Sequence, residues 1–189
     1  KVDDRLRRRL GYPLRTESQP QPWLLEKKNC THRVTFRFAI ESDIDCEVKL
    51  AAEGTVKKLA LNGREASVQP EGWYVDRCLQ IYRAGNIVRG DNELELEVEY
   101  GEKENLEWCY LLGAFSVVLA GAKTRIIPIN KELRYGDYSM QGFPFYGGNM
   151  YLETEITIPD GDVEIEIPHY RAPLLKVSMD GREEIVVEA

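Results

Sequence analysis

Two histidines, four cysteines and 32 acidic residues are the groups in this 189-residue chain that could carry chemistry. His32 and His169 have no triad context, and neither a Gly-x-Ser-x-Gly elbow nor a phosphate-binding glycine loop is present. Cys30, Cys46, Cys78 and Cys109 form no Cys-x-x-Cys pair, which with only two histidines argues against a zinc site. Cys46 and Cys109 sit in strand-like runs, where a cysteine behaves as a small apolar residue. Free thiols are the default reading; they fit a reducing compartment and tilt the localisation, otherwise open, toward the cytoplasm. The sequon Asn29-Cys30-Thr31 is read as accidental. Glutamates alternate along several runs. A metal-binding or catalytic carboxylate face is one reading of them; a solvated sheet face is the plainer one and is adopted. Hydrolysis by paired carboxylates needs two acids roughly 5–10 Å apart in a cleft, one with a raised pKa. Glu107, beside Trp108, is the best acid candidate, but nothing marks a partner for it. No catalytic residue, metal or cofactor is assigned, and structural calcium is not claimed because no dense aspartate cluster occurs.

Aromatic residues stand beside polar ones in three places. Trp73-Tyr74 is followed by Asp76 and Arg77; Glu107-Trp108 is followed by Tyr110; Phe143, Phe145 and Tyr146 precede Asn149. A flat apolar surface next to hydrogen-bonding groups suits a ligand with one apolar side and a polar rim. Packing in the core or between domains is the competing reading, favoured for Trp73, Trp108 and Phe143. For Tyr146, next to Gly147-Gly148 in a loop-like stretch, the two readings are even.

The elements that must position these residues are strands. Residues 1–28 are polar, carry Pro13, Pro20 and Pro22, and read as a connector with a short helix over Asp3 to Leu10. From Thr31 the hydrophobic period becomes two. Val34, Phe36, Phe38 and Ile40 alternate with polar or small residues; so do Cys46, Val48 and Leu50, and Leu94, Leu96, Val98 and Tyr100. Leu152, Thr154, Ile156 and Ile158 repeat the pattern, as do Val163, Ile165 and Ile167. Alternation of this kind places one side of each strand in a core and the other in water. Asn62-Gly63 and Asp180-Gly181 are hairpin dipeptides, and Gly90-Asp91-Asn92, Gly147-Gly148-Asn149 and Pro159-Asp160-Gly161 are further turn clusters. Many short strands with frequent turns predict an all-β, antiparallel β-sandwich.

Hydrophobic residues make up 43% and charged residues 30%, enough for a globular core. The net charge of −7 argues against nucleic acid and anionic membranes as partners, since both need a basic face. Arg5, Arg7, Arg8 and Arg9 are the only basic cluster and read as a solvated linker or helix end. No run approaches the roughly 18 apolar residues of a membrane-spanning helix. Lys1 at one end, and Ala189 directly after the apolar Ile185-Val186-Val187 at the other, read as cuts in a longer polypeptide.

An internal repeat organises the chain. Lys58-Leu59-Ala60-Leu61-Asn62-Gly63-Arg64-Glu65 matches Lys176-Val177-Ser178-Met179-Asp180-Gly181-Arg182-Glu183, 118 residues later. At the same offset Val34–Ile40 falls on Leu152–Ile158, with Asp45–Leu50 on Asp162–Ile167 after a one-residue slip. The expected organisation is a connector over 1–28, a complete sandwich over 29–122, and over 123–189 a partial second copy repeating about 30–71. Half a sandwich exposes an apolar face and strand edges. Its expected cover is the first sandwich, residues 1–28, or a second molecule through self-association.

In order, the Leu-Asn-Gly hairpin, Gly72-Trp73-Tyr74-Val75-Asp76, Gly90-Asp91-Asn92-Glu93-Leu94 and Leu111-Leu112-Gly113-Ala114-Phe115 resemble the galactose-binding-like jelly-roll domains of glycoside hydrolases. Such domains form the sugar-binding sandwich of the β-galactosidase and β-glucuronidase type and the accessory sandwiches of α-L-rhamnosidase-type enzymes. Residues 135–149 resemble the segment that opens the next sandwich in these enzymes. Ala114 stands where the motif often has Asp, so a role resting on that carboxylate does not carry over. The resemblance covers roughly residues 30–189. It implies a non-catalytic accessory region that braces the catalytic domain of its parent chain and lines or binds carbohydrate. The implied carbohydrate contacts are Trp73, Tyr74, Asp76, Glu107, Trp108, Tyr110, Tyr146 and Asn149. A free-standing carbohydrate-binding module is the main alternative, and a sugar-hydrolysing enzyme a more remote one.

Overall fold

The computed structural model describes residues 2–14, 32–102, 104, 106, 109–161, 164–167 and 174–186. Helix α1 (Val2–Leu10) is followed by β1 (His32–Ser42), β2 (Cys46–Ala52), β3 (Val56–Leu61), β4 (Arg64–Glu65), β5 (Gly72–Tyr74), β6 (Asp76–Ile87), β7 (Gly90–Tyr100), β8 (Cys109–Gly113), β9 (Phe115–Ala120) and β10 (Lys123–Pro128). A 3-10 turn at Tyr138–Gln141 and a hairpin of β11 (Leu175–Met179) and β12 (Arg182–Val186) complete the described elements. Six strands form one sheet in the order β4-β3-β7-β1-β10-β9, and four form a second in the order β5-β6-β2-β8. Pairing is antiparallel except at the short contact of β1 with β10. The fold is the antiparallel β-sandwich that the two-residue rhythm predicts.

Alternation decides which face of each strand is dry. On β7, Leu94, Leu96, Val98 and Tyr100 are buried, and they meet Val48, Leu50 and Ala52 of β2 and Tyr82, Ala84 and Ile87 of β6. Burying such a side chain stabilises by roughly 1.5–3 kcal/mol each. The other face of β7 carries the glutamate row. Glu95 meets Lys58 at 2.6 Å and Arg37 at 3.1 Å, Glu97 meets Arg33 at 3.2 Å, and Glu99 meets Lys57 at 3.0 Å. These pairs are solvent-facing and worth about 0–1 kcal/mol each. The glutamates therefore form a solvated, charge-laced sheet face.

Helix α1 covers the short helix expected over Asp3 to Leu10, with Asp3 and Asp4 in its first turn and Arg7, Arg8 and Arg9 in its last, as the helix dipole favours. One member of the arginine cluster departs from the solvated reading. Arg7 is 1% exposed and bonds Asp3 at 2.8 Å, with further donations to the carbonyls of Pro13, Glu102 and Glu104. Leu6, Leu10 and Tyr12 pack against the sandwich core, so the amphipathic face of the helix draws Arg7 inward, where five donors can be satisfied.

The two repeated hairpins share their turn geometry. Asn62 and Gly63 have φ of 52° and 76°, and Asp180 and Gly181 have 49° and 78°. Both φ values must be positive in such a turn, which is why Asn or Asp precedes Gly. Upstream, the second copy departs from expectation. Residues 151–158 are exposed and join no sheet, and Ile165 and Ile167 also lie outside any strand; Val163 falls outside the described residues. Alternation gives a segment the capacity to be a strand, but a strand exists only against a partner edge, and residues 151–158 lie against none in this structure.

Candidate functional site

Strand β2 runs down the middle of the four-stranded sheet. Val48, Leu50 and Ala52 point into the core, which leaves Glu47, Lys49 and Ala51 on the outer face. Register fixes their neighbours. Ala51 lies between Ile81 of β6 and Tyr110 of β8, Lys49 between Arg83 and Leu112, and Glu47 opposite Asn86. Tyr74, at the end of β5, brings its ring to 5.5 Å from that of Tyr110, tilted by 58°. Ala51 has no exposed surface although it is on the outward side, so this end of the face is roofed by side chains.

Polar groups border the rings. The Glu71 amide donates to the Ile81 carbonyl at 2.8 Å and thereby anchors Glu71 at the β6 edge. Its carboxylate accepts from Lys49 at 3.0 Å and pairs with Arg83 at 3.1 Å, while Arg83 also reaches Glu47 at 3.4 Å. Lys49, followed by Arg83, holds the Glu71 carboxyl below the usual carboxylate range. This is the reverse of the raised pKa that a general acid requires. The network continues into a broad, shallow depression between the two sheets, lined in part by Glu47, Glu71, Arg83, Asn86, Arg64 and Ser67. An aromatic pair beside two cations and two carboxylates can cover the apolar side of a ligand and exchange hydrogen bonds with its hydroxyl groups.

Of the residues singled out in the sequence, Tyr74 and Tyr110 are brought together. Trp73 pairs with Gln80 and is 54% exposed. Asp76 is occupied by the backbone: its carboxylate accepts the Cys78 amide at 3.0 Å, which holds its pKa down. It closes a corner in which Val75 has φ 62°. A β-branched residue there is strained by roughly 1–3 kcal/mol. Partial burial and then Asp76 push the Cys78 thiol up, away from a reactive thiolate. Glu107 and Trp108 lie outside the described residues. Tyr146 and Asn149 form a unit of their own after the 3-10 turn: the Tyr146 hydroxyl donates to the Asn149 carbonyl at 2.7 Å, and the ring stands edge-on to Phe143 at 6.1 Å. Lys49, Glu71, Arg83 and Glu47 carried no signal in the sequence, because only cross-strand register makes them neighbours of Tyr74 and Tyr110.

Cys46, Cys78 and Cys109 are free thiols. Among the described residues no group of three His, Cys, Asp or Glu side chains could hold a metal ion, and no helix is long and apolar enough to cross a membrane. Compared with models of protein families, with curated proteins and with solved structures, the chain finds no match.

Proposed function

We propose that this chain is a non-catalytic accessory β-sandwich region of a larger glycoside hydrolase, and that the outer face of its four-stranded sheet contacts carbohydrate. The observation that carries the reading is the meeting of Tyr74 and Tyr110 at 5.5 Å from separate strands, beside the Lys49–Glu71–Arg83 network. A pyranose ring has apolar C–H groups on one side and hydroxyls around its rim, and this face offers the complement of both. Acid–base chemistry is not part of the proposal, because Lys49 and Arg83 hold the Glu71 carboxyl below the usual carboxylate range, the reverse of what a general acid needs.

A glycan array followed by calorimetry tests the proposal on the 189-residue chain. Binding should weaken at least tenfold, about 1.4 kcal/mol, in Tyr74→Ala and in Tyr110→Ala. Arg83→Ala should weaken it less. Binding that ignores all three substitutions, or an absence of binding to any glycan, rejects the carbohydrate-contacting face. Turnover of an aryl glycoside by the purified chain rejects the non-catalytic assignment.

A further inference from the structure

On one side β1 pairs with β7 along its whole length, from His32 opposite Tyr100 to Ser42 opposite Gly90. On its other side β10 meets it only at Glu41 and Ser42. Among the described residues, the main-chain groups of that edge from His32 to Ile40 thus have no ladder partner. The side chains register the same gap. Val34, Phe36, Phe38 and Ile40 point to the core side yet are only half-buried, whereas Leu94, Leu96 and Val98 on the adjoining strand are buried. A sheet edge in this state is a template for an added strand.

The chain also holds a strand-like segment without a sheet. Residues 151–158 are exposed throughout, and Leu152, Ile156 and Ile158 stand in water at 44%, 59% and 45% exposure. They alternate with Tyr151, Glu153, Glu155 and Thr157 in the rhythm that β1 uses. Charge supplies the match. Across the outer face of the six-stranded sheet the charged rows alternate in sign: Lys57 and Lys58, then Glu95, Glu97 and Glu99, then Arg33 and Arg37. The next row in that series should be acidic, and Glu153 and Glu155 provide it in an antiparallel register: with Glu153 opposite Arg37, Glu155 stands opposite Thr35, diagonal to both Arg33 and Arg37, while Leu152 faces Phe38 and Ile156 faces Val34. Arg33 and Arg37 remain about two-thirds exposed beside their present partners, which leaves room for a second carboxylate.

We infer that residues 151–158 of a second copy of this chain add to the open edge of β1, and that the exchange is reciprocal, so that a two-fold dimer fills both edges. Among the described residues of one copy the segment joins no sheet and is exposed; a symmetric exchange pairs one side of its backbone with β1 and covers its apolar row.

Sedimentation velocity on the 189-residue chain tests this. A monomer–dimer equilibrium is expected. Arg33→Glu with Arg37→Glu should weaken the dimer at least tenfold, and so should Glu153→Arg with Glu155→Arg. An equimolar mixture of the two double variants should restore it, because each swapped edge then meets the swapped segment. Circular dichroism spectra matching the parent chain would show that the variants are folded. A chain that stays monomeric at its highest attainable concentration overturns the proposal, as does a dimer that ignores both reversals. Concentration-independent hydrogen-exchange protection of the β1 edge in a monomer would place the segment on its own edge and also overturn it.

Discussion

The side-chain amide of Asn62 donates to the side-chain carbonyl of Asn92 at 2.8 Å, and this bond ties the β3–β4 turn to the start of β7. Asn62 also accepts the Glu93 amide at 2.9 Å, and its own backbone amide donates to the Glu93 carbonyl at 2.8 Å. Asn92 is buried and spends its remaining capacity on the β6–β7 corner. It accepts from the Val88 amide at 2.9 Å and donates to the carbonyls of Val88 at 2.7 Å and Gly90 at 3.1 Å. The Leu-Asn-Gly and Gly-Asp-Asn motifs, 30 residues apart in the chain, are therefore two halves of one polar lock.

Asn92→Ala should lower stability by about 3 kcal/mol, since several bonds worth about 1 kcal/mol each are lost and buried groups are left unpaired. A fall in melting temperature on the order of 6–12 °C is expected for a chain of this size. Asn92→Asp should not rescue it, because a carboxylate would face the Val88 and Gly90 carbonyls. A loss below about 1 kcal/mol in denaturant titrations would mean that the lock is ornamental.

The second prediction concerns the helix clasp. Asp3 receives the Tyr100 hydroxyl at 2.7 Å and the Arg7 guanidinium at 2.8 Å, and Asp3 and Arg7 are both almost fully buried. Asp3→Ala strands a buried cation and should cost about 3–5 kcal/mol. Tyr100→Phe removes one hydrogen bond to a charged acceptor and should cost about 1.5–3 kcal/mol. Paired unfolding curves for the two variants check the ranking, which fails if Tyr100→Phe is the more damaging.

Two glycines are required by what presses on them. A Cβ at Gly113 would stand 2.8 Å from the Phe115 ring and 3.0 Å from the Glu47 carbonyl; one at Gly142, where φ is 101°, would stand 2.8 Å from the Ser116 Cβ. Ser116 is buried and accepts the Asn130 amide at 2.9 Å, so the loop after β10 is seated on this contact. Each substitution to alanine should destabilise by about 1–3 kcal/mol through overpacking. Gly142→Ala should be the worse of the two, since it adds backbone strain. Equal melting temperatures for Gly142→Ala and the parent chain would refute this seating.

The salt-bridged rows predict a pH response. Lys58, and after it Arg37, holds the Glu95 carboxyl below its ordinary value. Glu95 in turn raises the Lys58 ammonium. The carboxylate contribution is complete above the unfolded-state pKa and is lost as pH falls through the lower folded-state value; the lysine contribution is complete below its unfolded pKa and is lost as pH rises through its higher folded value. An NMR titration should find the Glu95 midpoint depressed, and Lys58→Ala should move it upward. A midpoint at the ordinary glutamate value in the parent chain would contradict the pairing.

The two-residue rhythm of β1, β2 and β7, the Asn-Gly turn and the polar start of β7 were sufficient to specify an antiparallel sandwich, because alternation and turn chemistry are local properties of the chain. The same rhythm over 151–158 did not make a strand in the sheets, since pairing depends on an edge elsewhere. Arg7 read as solvated because its sequence neighbours are basic; only docking of the helix on the sheet end encloses it with Asp3. Tyr74 and Tyr110 were visible as aromatic residues beside polar ones. That they share a face with Lys49, Glu71 and Arg83 was decided by the register of β2 between β6 and β8, a relation among residues distant along the chain that tertiary packing alone sets.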